Sequence, residues 1–313
     1  MRILFMGTPE FAIPSLKTLL EHGYNVVSVV TAADKPQGRG QKVAPSPVKE
    51  FAVERSLPVI QPEQLKDPAF VSAVSNLQPD LIVVVAFRIL PPEVFKIPRL
   101  GSFNLHASLL PKFRGAAPIN WAIIKGEKET GVTTFFLREK VDTGSILLQA
   151  RVRIGRDDTA GELHDRLADL GAQVVLQTVR AIELGTAKPV AQDESGSSVA
   201  PKIFRENCEI DWRKPALHIH NFVRGLSPSP CAWTKLQGKV IRVYRTQLVE
   251  DSGHPGAIEP GVIVEVSPLT VVVGTKSGLV ALAEVQQEGR KRMGIAEFLR
   301  GYPLKVGDRF GKS

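Results

Sequence analysis

Asn104, His106 and Asp142 are the residues whose types and spacing suit chemistry. In Ser102-Phe-Asn-Leu-His-Ala107, polar and apolar side chains alternate. On a strand, side chains two apart share a face, so Asn104 and His106 would stand together while Phe103, Leu105 and Ala107 turn away. The run then leaves its sheet through Ser108-Leu-Leu-Pro111, because Pro111 has no N–H to give to a ladder. An amide and an imidazole would thus lie side by side at the carboxyl end of a strand, where open α/β sheets place their ligands. Asp142 sits downstream in an Asp-Thr-Gly turn. Its carboxylate either caps local N–H groups or lies beside His106, orienting the ring and favouring its charged form. By itself an Asn-x-His pair reads as the wet face of an edge strand. The flanking hydrophobic runs and the Pro/Gly-punctuated exit favour a functional strand end.

The elements that must position these residues follow an α/β pattern. Residues 3–6 read as a short buried strand ended by Gly7-Thr8-Pro9. A helix with apolar Phe11, Leu16, Leu19 and Leu20 follows and stops at Gly23. With a second strand over residues 24–31, this is the opening of a parallel sheet with crossover helices. No Gly-x-Gly-x-x-Gly follows the first strand, which argues against a dinucleotide fingerprint. Residues 81–87 are continuously apolar, as in a strand covered on both faces, and Pro91-Pro92 opens a short helix. Beyond the Asn104 strand, a helix is expected near Ile119 and two strands over 131–137 and 145–154, joined by the Asp142 turn. A long helix starts at Thr159, where Thr159-x-x-Glu162 is a capping box. Leu163, Leu167, Leu170, Val174 and Ile182 form its apolar stripe, and Gly185 closes it.

Residues 34–49 show no periodic element: two Gly, three Pro and four Lys/Arg against one acid make a long basic loop. Loops longer than about 12–15 residues inside compact domains are usually functional or disordered, and a solvated linker stands equally open here. Lys35, Arg39 and Lys42 are its candidate phosphate contacts. Residues 186–206 are polar, with the composition of a linker. Short β runs follow at 240–244, 261–266, 270–273 and 279–285, pointing to a small β-barrel or sandwich.

The chain has 313 residues, enough for two domains, and a net charge of +8. Residues 205–313 hold 16 Lys/Arg against 11 Asp/Glu. Such an excess favours polyanions, nucleic acid above all. The longest apolar run is too short to span a bilayer, and the first residues lack the pattern of a signal peptide. Cys208 and Cys231 alone imply neither a disulfide framework nor a Cys-rich metal site. A cytoplasmic location is expected.

Asp142-Thr-Gly144 is also the tripeptide of aspartic proteases, and Asp251-Ser-Gly253 could pose as its second half. The sequences around the two are unlike, and an α/β opening is wrong for that all-β fold. His218-x-His220 has no acidic or Cys companion and is read as non-metal; His22, His164 and His254 are assigned to surface or core.

Gly7-Thr-Pro-Glu-Phe-Ala, Ser46-Pro-Val-Lys, Asn104-x-His-x-Ser-Leu-Leu-Pro111, Arg114-Gly-Ala-Ala-Pro118 and Val141-Asp-Thr-Gly144 occur in this order. Together they closely resemble the folate-dependent formyltransferases, and among these the methionyl-tRNA formyltransferases. The resemblance implies an α/β fold, a Rossmann-like, mostly parallel sheet with crossover helices, followed by a smaller C-terminal β-barrel (OB-like) domain. The parts would be a catalytic domain over 1–190, a linker over 191–206 and a basic tRNA-binding domain over 207–313. The implied reaction moves a formyl group from 10-formyltetrahydrofolate to the α-amino group of methionine on initiator methionyl-tRNA, for translation initiation. Asn104 would donate an N–H to the tetrahedral oxyanion, and His106 would stabilise that oxygen and move protons. Asp142 would set the ring's orientation or take the ammonium proton through water. Ser108, Leu109, Leu110 and Pro111, with Phe87 and Ile89, would wall the folate, chiefly through backbone groups. Lys35, Arg39 and Lys42 would contact the tRNA. The resemblance implies no metal, no membrane and a monomer that binds initiator methionyl-tRNA and tetrahydrofolate.

One departure falls at residues 86–91, Ala-Phe-Arg-Ile-Leu-Pro, shorter than the Ala-Tyr-Gly-x-Ile-Leu-Pro usual in the family. Relatives use that loop for folate. Two other readings stand beside the first. A formyltransferase acting on a small amine, such as an amino sugar nucleotide or a purine precursor, would not need the basic tail. A nucleic-acid-binding protein that has lost activity would not need Asn104, His106 and Asp142 together.

Overall fold

In a computed structural model of the chain, which describes residues 1–37, 42–250 and 259–311, packing separates two units. The first gathers residues 1–115, 130–152 and 164–200; the second gathers 116–129, 153–163 and 201–313. Along the chain run β1 (Arg2–Gly7), α1 (Ile13–Glu21), β2 (Asn25–Val30), β3 (Lys35–Gln37) and β4 (Lys42–Ala44). Next come α2 (Pro47–Glu54), β5 (Val59–Ile60), α3 (Pro68–Asn76), β6 (Leu81–Val85), α4 (Pro92–Phe95) and β7 (Ser102–His106). They are followed by β8 (Arg114–Gly115), α5 (Pro118–Ile124), β9 (Glu129–Phe136), β10 (Ile146–Arg153), α6 (Ala160–Glu183) and β11 (Val199–Ala200).

Seven strands make the main sheet, in the order β10-β9-β7-β6-β1-β2-β5. The pairs from β7 through β6, β1 and β2 to β5 are parallel, and β9 is antiparallel to β7. Central β6 is buried at all five residues, which is why its sequence is an unbroken Leu-Ile-Val-Val-Val. One face, with Leu4, Met6, Ile82 and Val84, packs on Phe70, Val74, Val94 and Phe95 of α3 and α4.

The long basic loop expected over 34–49 carries more order than its composition suggests. β3 and β4 pair antiparallel, Lys35 opposite Ala44, and α2 begins at Pro47. Ser46 caps that helix, its hydroxyl accepting from Lys49 N at 3.1 Å. Ser-Pro is an N-cap followed by a first-turn proline, a start signal that the count of Gly and Pro hid. Arg39 lies outside the described residues, as do Asp251 and Gly253.

α6 starts as its capping box predicts: Thr159 N donates to Glu162 Oε2 at 2.8 Å, and Glu162 N to Thr159 Oγ1 at 3.2 Å. The Thr159 N–H, with Arg245 assisting, holds the Glu162 carboxyl down to about 2. A depressed acid stabilises the fold above its unfolded value of 4.5 and loses that contribution as pH falls toward 2. Glu162→Ala is therefore expected to lower stability by about 1 kcal/mol at pH 7. Thermal melts in acid should show the gap to the parent chain closing as pH drops below 4.5. A gap that survives undiminished at the acid end would remove the carboxylate from the cap.

In the second unit, α7 (Ala216–Leu226) precedes β12 (Ala232–Leu236), β13 (Lys239–Val249), β14 (Ile263–Ser267), β15 (Thr270–Gly274) and β16 (Leu279–Gln287). β17 (Met293–Gly294) and α8 (Ile295–Gly301) complete it. The strands form an antiparallel sheet in the order β12-β13-β16-β15-β14. Residues 309 and 310 bridge its two edges: Arg309 pairs with Val262 beside β14, and Phe310 with Leu236 of β12. The sheet is thereby closed into the expected small barrel, around Trp212, Val223, Val243, Val271, Leu282 and Phe310. No described helix is long and apolar enough to cross a membrane.

Candidate active site

β7 lies between β6 and β9, so the wet-edge reading of Asn104 and His106 fails. Alternation along a strand cannot tell an edge from an interior strand whose polar face is covered by loops. Asn104 pairs with Val84 on one side and Phe135 on the other. Its side chain is half-buried, and its amide makes no hydrogen bond to the described residues.

His106 is not solvent-facing, as its parity suggested, but buried with 6% exposed. Its Nε2 is 2.8 Å from the Phe113 carbonyl. A carbonyl only accepts, so Nε2 carries the hydrogen and Nδ1 is left for proton exchange. Nδ1 faces Asp142 Oδ2 across 3.9 Å, too far for a direct hydrogen bond. The ring is therefore oriented by Phe113, a partner that nothing in the motif announces. Asp142 Oδ2 instead accepts from Gly115 N at 2.9 Å. Asp142 itself is left-handed, with φ of 55°.

The loop after β7 is bonded inward. Ser108 Oγ donates to Lys112 O at 2.6 Å, and Thr133 Oγ1 donates to Ser108 O at 2.6 Å. Leu110 N donates to Thr133 Oγ1 at 3.1 Å, and Gln149 Nε2 to Leu110 O at 2.9 Å. The backbone groups expected to hold folate are thus engaged within the protein, and Leu110 is buried. Leu109 and Pro111 are half-buried. In the shortened loop, Phe87 packs against the α3/α4 core while Ile89 is 73% exposed. Arg88 ties that loop down through Pro62 O at 2.7 Å and Glu63 O at 2.9 Å.

A cavity of about 740 Å³ opens beside β7, lined by Phe95, Lys96, Arg99, Ser102, Phe136, Leu137, Arg138, Lys140 and Thr143 among others. Ser102 is two residues before Asn104, on the same strand parity. None of Phe87, Ile89 or residues 108–111 lines this cavity. Its walls come from two segments about forty residues apart; Thr143 belongs to the Asp142 turn, and nothing in residues 95–102 announces the pairing.

A second cavity, about 400 Å³, lies at the carboxyl ends of β1 and β2, with Thr8, Glu10, Lys35, Ser46 and His164 on its walls. Lys35 and the Gly7-Thr-Pro-Glu motif therefore meet in one place. The Lys42 side chain lies outside the described residues.

Residues 190–200, expected to begin a linker, are bonded back onto this site. β11 pairs with β8, Val199 opposite Arg114 and Ala200 opposite Gly115. Phe113 N donates to Ser198 Oγ at 2.9 Å and Arg114 N to Ser198 O at 2.8 Å. The Gln192 amide reaches the backbone of the Asp142 turn. Polar composition conceals such pairing, because short strands held by distant partners carry no periodicity. Among the described residues, no group of three or more His, Cys, Asp or Glu is placed to hold a metal ion.

An open α/β sheet, an unpaired amide and a buried imidazole at a strand end, and a closed β-barrel define a class that comparison with known proteins makes specific. The chain matches Formyl transferase over residues 1–179 and Formyl transferase, C-terminal domain over residues 202–303. It belongs to the formyl transferase family. Among its relatives is the methionyl-tRNA formyltransferase of Bacteroides thetaiotaomicron, 46% identical over 98% of this chain and 97% of that protein. The methionyl-tRNA formyltransferase of Azobacteroides pseudotrichonymphae is 49% identical over 96% of this chain and 95% of its own. Two solved structures share the fold at low identity. One is an N-formyltransferase from Helicobacter canadensis in complex with folinic acid and dTDP-3-aminofucose: TM-score 0.68, 21% identity, 91% of this chain and 98% of that one. The other is HypX from Aquifex aeolicus with tetrahydrofolic acid: TM-score 0.66, 20% identity, all of this chain and 51% of that one.

Proposed function

We propose that the chain formylates initiator methionyl-tRNA, taking the formyl group from 10-formyltetrahydrofolate and placing it on the α-amino group of methionine. The observation that carries the mechanism is the unpaired Asn104 amide beside His106 at the carboxyl end of an interior strand. Attack of the amine on the formyl carbon creates a tetrahedral oxyanion and an ammonium. The ammonium loses its proton, and collapse breaks the bond from the formyl carbon to N10, which takes up a proton as tetrahydrofolate leaves. The Asn104 N–H groups, with no acceptor among the described residues, are free to meet that oxygen, a role worth about 10²–10³ in rate elsewhere. His106 Nδ1 is the basic nitrogen left by the Phe113 bond, and it stands 3.9 Å from Asp142 Oδ2.

Folate would lie against residues 108–111, Phe87 and Ile89 beside this strand end; the larger cavity opens at Gly101 and Ser102, the amino end of β7, and none of Asn104, His106 or Asp142 lines it. The Helicobacter and Aquifex structures, named for folinic acid and tetrahydrofolic acid, support a folate site in this fold. Lys35 at the smaller cavity and the basic OB-like barrel are the proposed tRNA contacts. Residues 1–190 would supply the chemistry and 207–313 the tRNA grip, in a cytoplasmic monomer.

The test is direct. The protein is incubated with 10-formyltetrahydrofolate and methionyl-initiator tRNA, and N-formylmethionine is sought, with elongator methionyl-tRNA, free methionine and an amino sugar nucleotide in parallel. Formylation confined to the initiator is the expected result. Turnover of the amino sugar nucleotide alone would replace this reading with the small-amine one.

A further inference from the structure

We propose that Gln192 is a positioning residue for Asp142, the centre of a clamp that includes Arg114 and Glu194. The inference rests on the reaction proposed above. Asp142 occupies the left-handed region, which costs a non-glycine residue about 1–3 kcal/mol unless its surroundings enforce it. The Gln192 amide supplies that enforcement. Its Nε2 donates to Asp142 O at 2.9 Å and to Gly144 O at 2.8 Å. Its Oε1 accepts from Arg114 Nη2 at 2.6 Å and Nε at 3.1 Å. All four hydrogen-bonding positions of the amide are filled. The orientation is also unambiguous, because carbonyls only accept and a guanidinium only donates.

Arg114 is itself fixed by Glu194, with Nη1 to Oε2 and Nη2 to Oε1 both at 2.9 Å. The next residue, Gly115, gives its N–H to the Asp142 carboxylate at 2.9 Å. One cluster therefore holds Asp142 twice, by its backbone through Gln192 and by its carboxylate through Gly115. Gln192 and Glu194 fall between the two stretches that match the family, 1–179 and 202–303. The grip on the acidic turn is thus supplied by a segment that neither match covers. Gln192 bonds to backbone and to Arg114, not to the Asp142 carboxylate or the His106 ring, so its effect on the reaction is indirect.

The competing view is that Gln192 only fastens residues 190–200 to the unit. Steady-state formylation of methionyl-initiator tRNA by the full-length chain separates the two, using Gln192→Ala, Gln192→Glu, Asp142→Ala and the double variant Gln192→Ala/Asp142→Ala. Positioning predicts that Gln192→Ala lowers kcat by about 10–100-fold with KM for both substrates nearly unchanged. Gln192→Glu keeps the acceptor for Arg114 but turns a carboxylate on two carbonyls, and should fall with Gln192→Ala. In the Asp142→Ala background, Gln192→Ala should cost about twofold or less, because the residue it positions is gone. Hydrogen exchange reads the clamp without turnover: amides of residues 140–146 should exchange faster in Gln192→Ala. Equal fold-losses in both backgrounds, full kcat in Gln192→Ala, or unchanged exchange in that turn would each overturn the proposal. If the parent chain fails to formylate methionyl-tRNA, the functional reading falls, and the exchange comparison still decides the clamp.

Discussion

Asn104→Ala is expected to lower kcat by about 10²–10³ while leaving the melting temperature where it was. Among the described residues the amide has no hydrogen-bond partner, so its removal orphans nothing. His106→Ala should differ in kind. It removes a proton carrier, at a cost of about 10²–10⁴ in kcat. It also strips the buried Phe113 carbonyl of its donor, which costs about 1–3 kcal/mol of stability. Single-turnover formylation at saturating folate and tRNA, with thermal melts of each variant, separates the two patterns. Near-normal turnover in Asn104→Ala would remove the amide from the mechanism. An unshifted melt in His106→Ala would mean that the Phe113 bond contributes nothing.

The second large effect should come from a single methyl group in the acidic turn. A Cβ at Gly144 would stand 1.5 Å from Phe136 O and 2.8 Å from its carbonyl carbon. Backbone cannot yield as a flexible side chain does, so the turn must move. It is held at both ends, by Gln192 on Gly144 O and by Phe136 N on Ser145 O at 3.0 Å. Relief will displace Asp142, two residues away, and a shift of about 1 Å near a reacting centre can cost 10²-fold in rate. Gly144→Ala is therefore expected to lose about 10² in kcat and about 1–3 kcal/mol of stability from overpacking. Gly23→Ala is the control: its Cβ would meet nothing within 4 Å, so it carries only the strain of a positive φ. Wild-type kcat in Gly144→Ala would sever the geometry of Asp142 from the chemistry.

What the sequence made legible is what local periodicity encodes. The opening strand, helix and strand, the all-apolar β6, the Thr159–Glu162 box and the shared parity of Asn104 and His106 follow from residues within a few positions of one another. Features that depend on distant partners were not legible. Parity placed His106 on the polar face, but the loop through Phe113 folds over that face and buries it. Asp142 was legible as a turn residue, whereas Gln192, fifty positions later, carries no pattern that ties it to that turn. The three-residue strands β3 and β4 are too short for alternation to register. The larger cavity joins residues 95–102 to 136–143, and only the sheet order makes these neighbours.

The bridges made by Arg309 and Phe310 have a consequence for how the protein comes into being on the ribosome. Beyond the bridge from Glu209 to Trp233 of β12, the outer edges of β12 and β14 wait for those residues to emerge, and unpaired edges recruit other strands. α5, made early, must also wait, because Ile124 packs on a core built from residues after 207. Among the described residues, the hydrogen bonds of His106, Asp142 and Gln192 reach no residue beyond Ala200, where β11 ends. At about 5–20 residues per second, the nascent chain would spend on the order of 10 s with these proposed site residues synthesised and its barrel still open. That interval is when a chaperone has the most to protect.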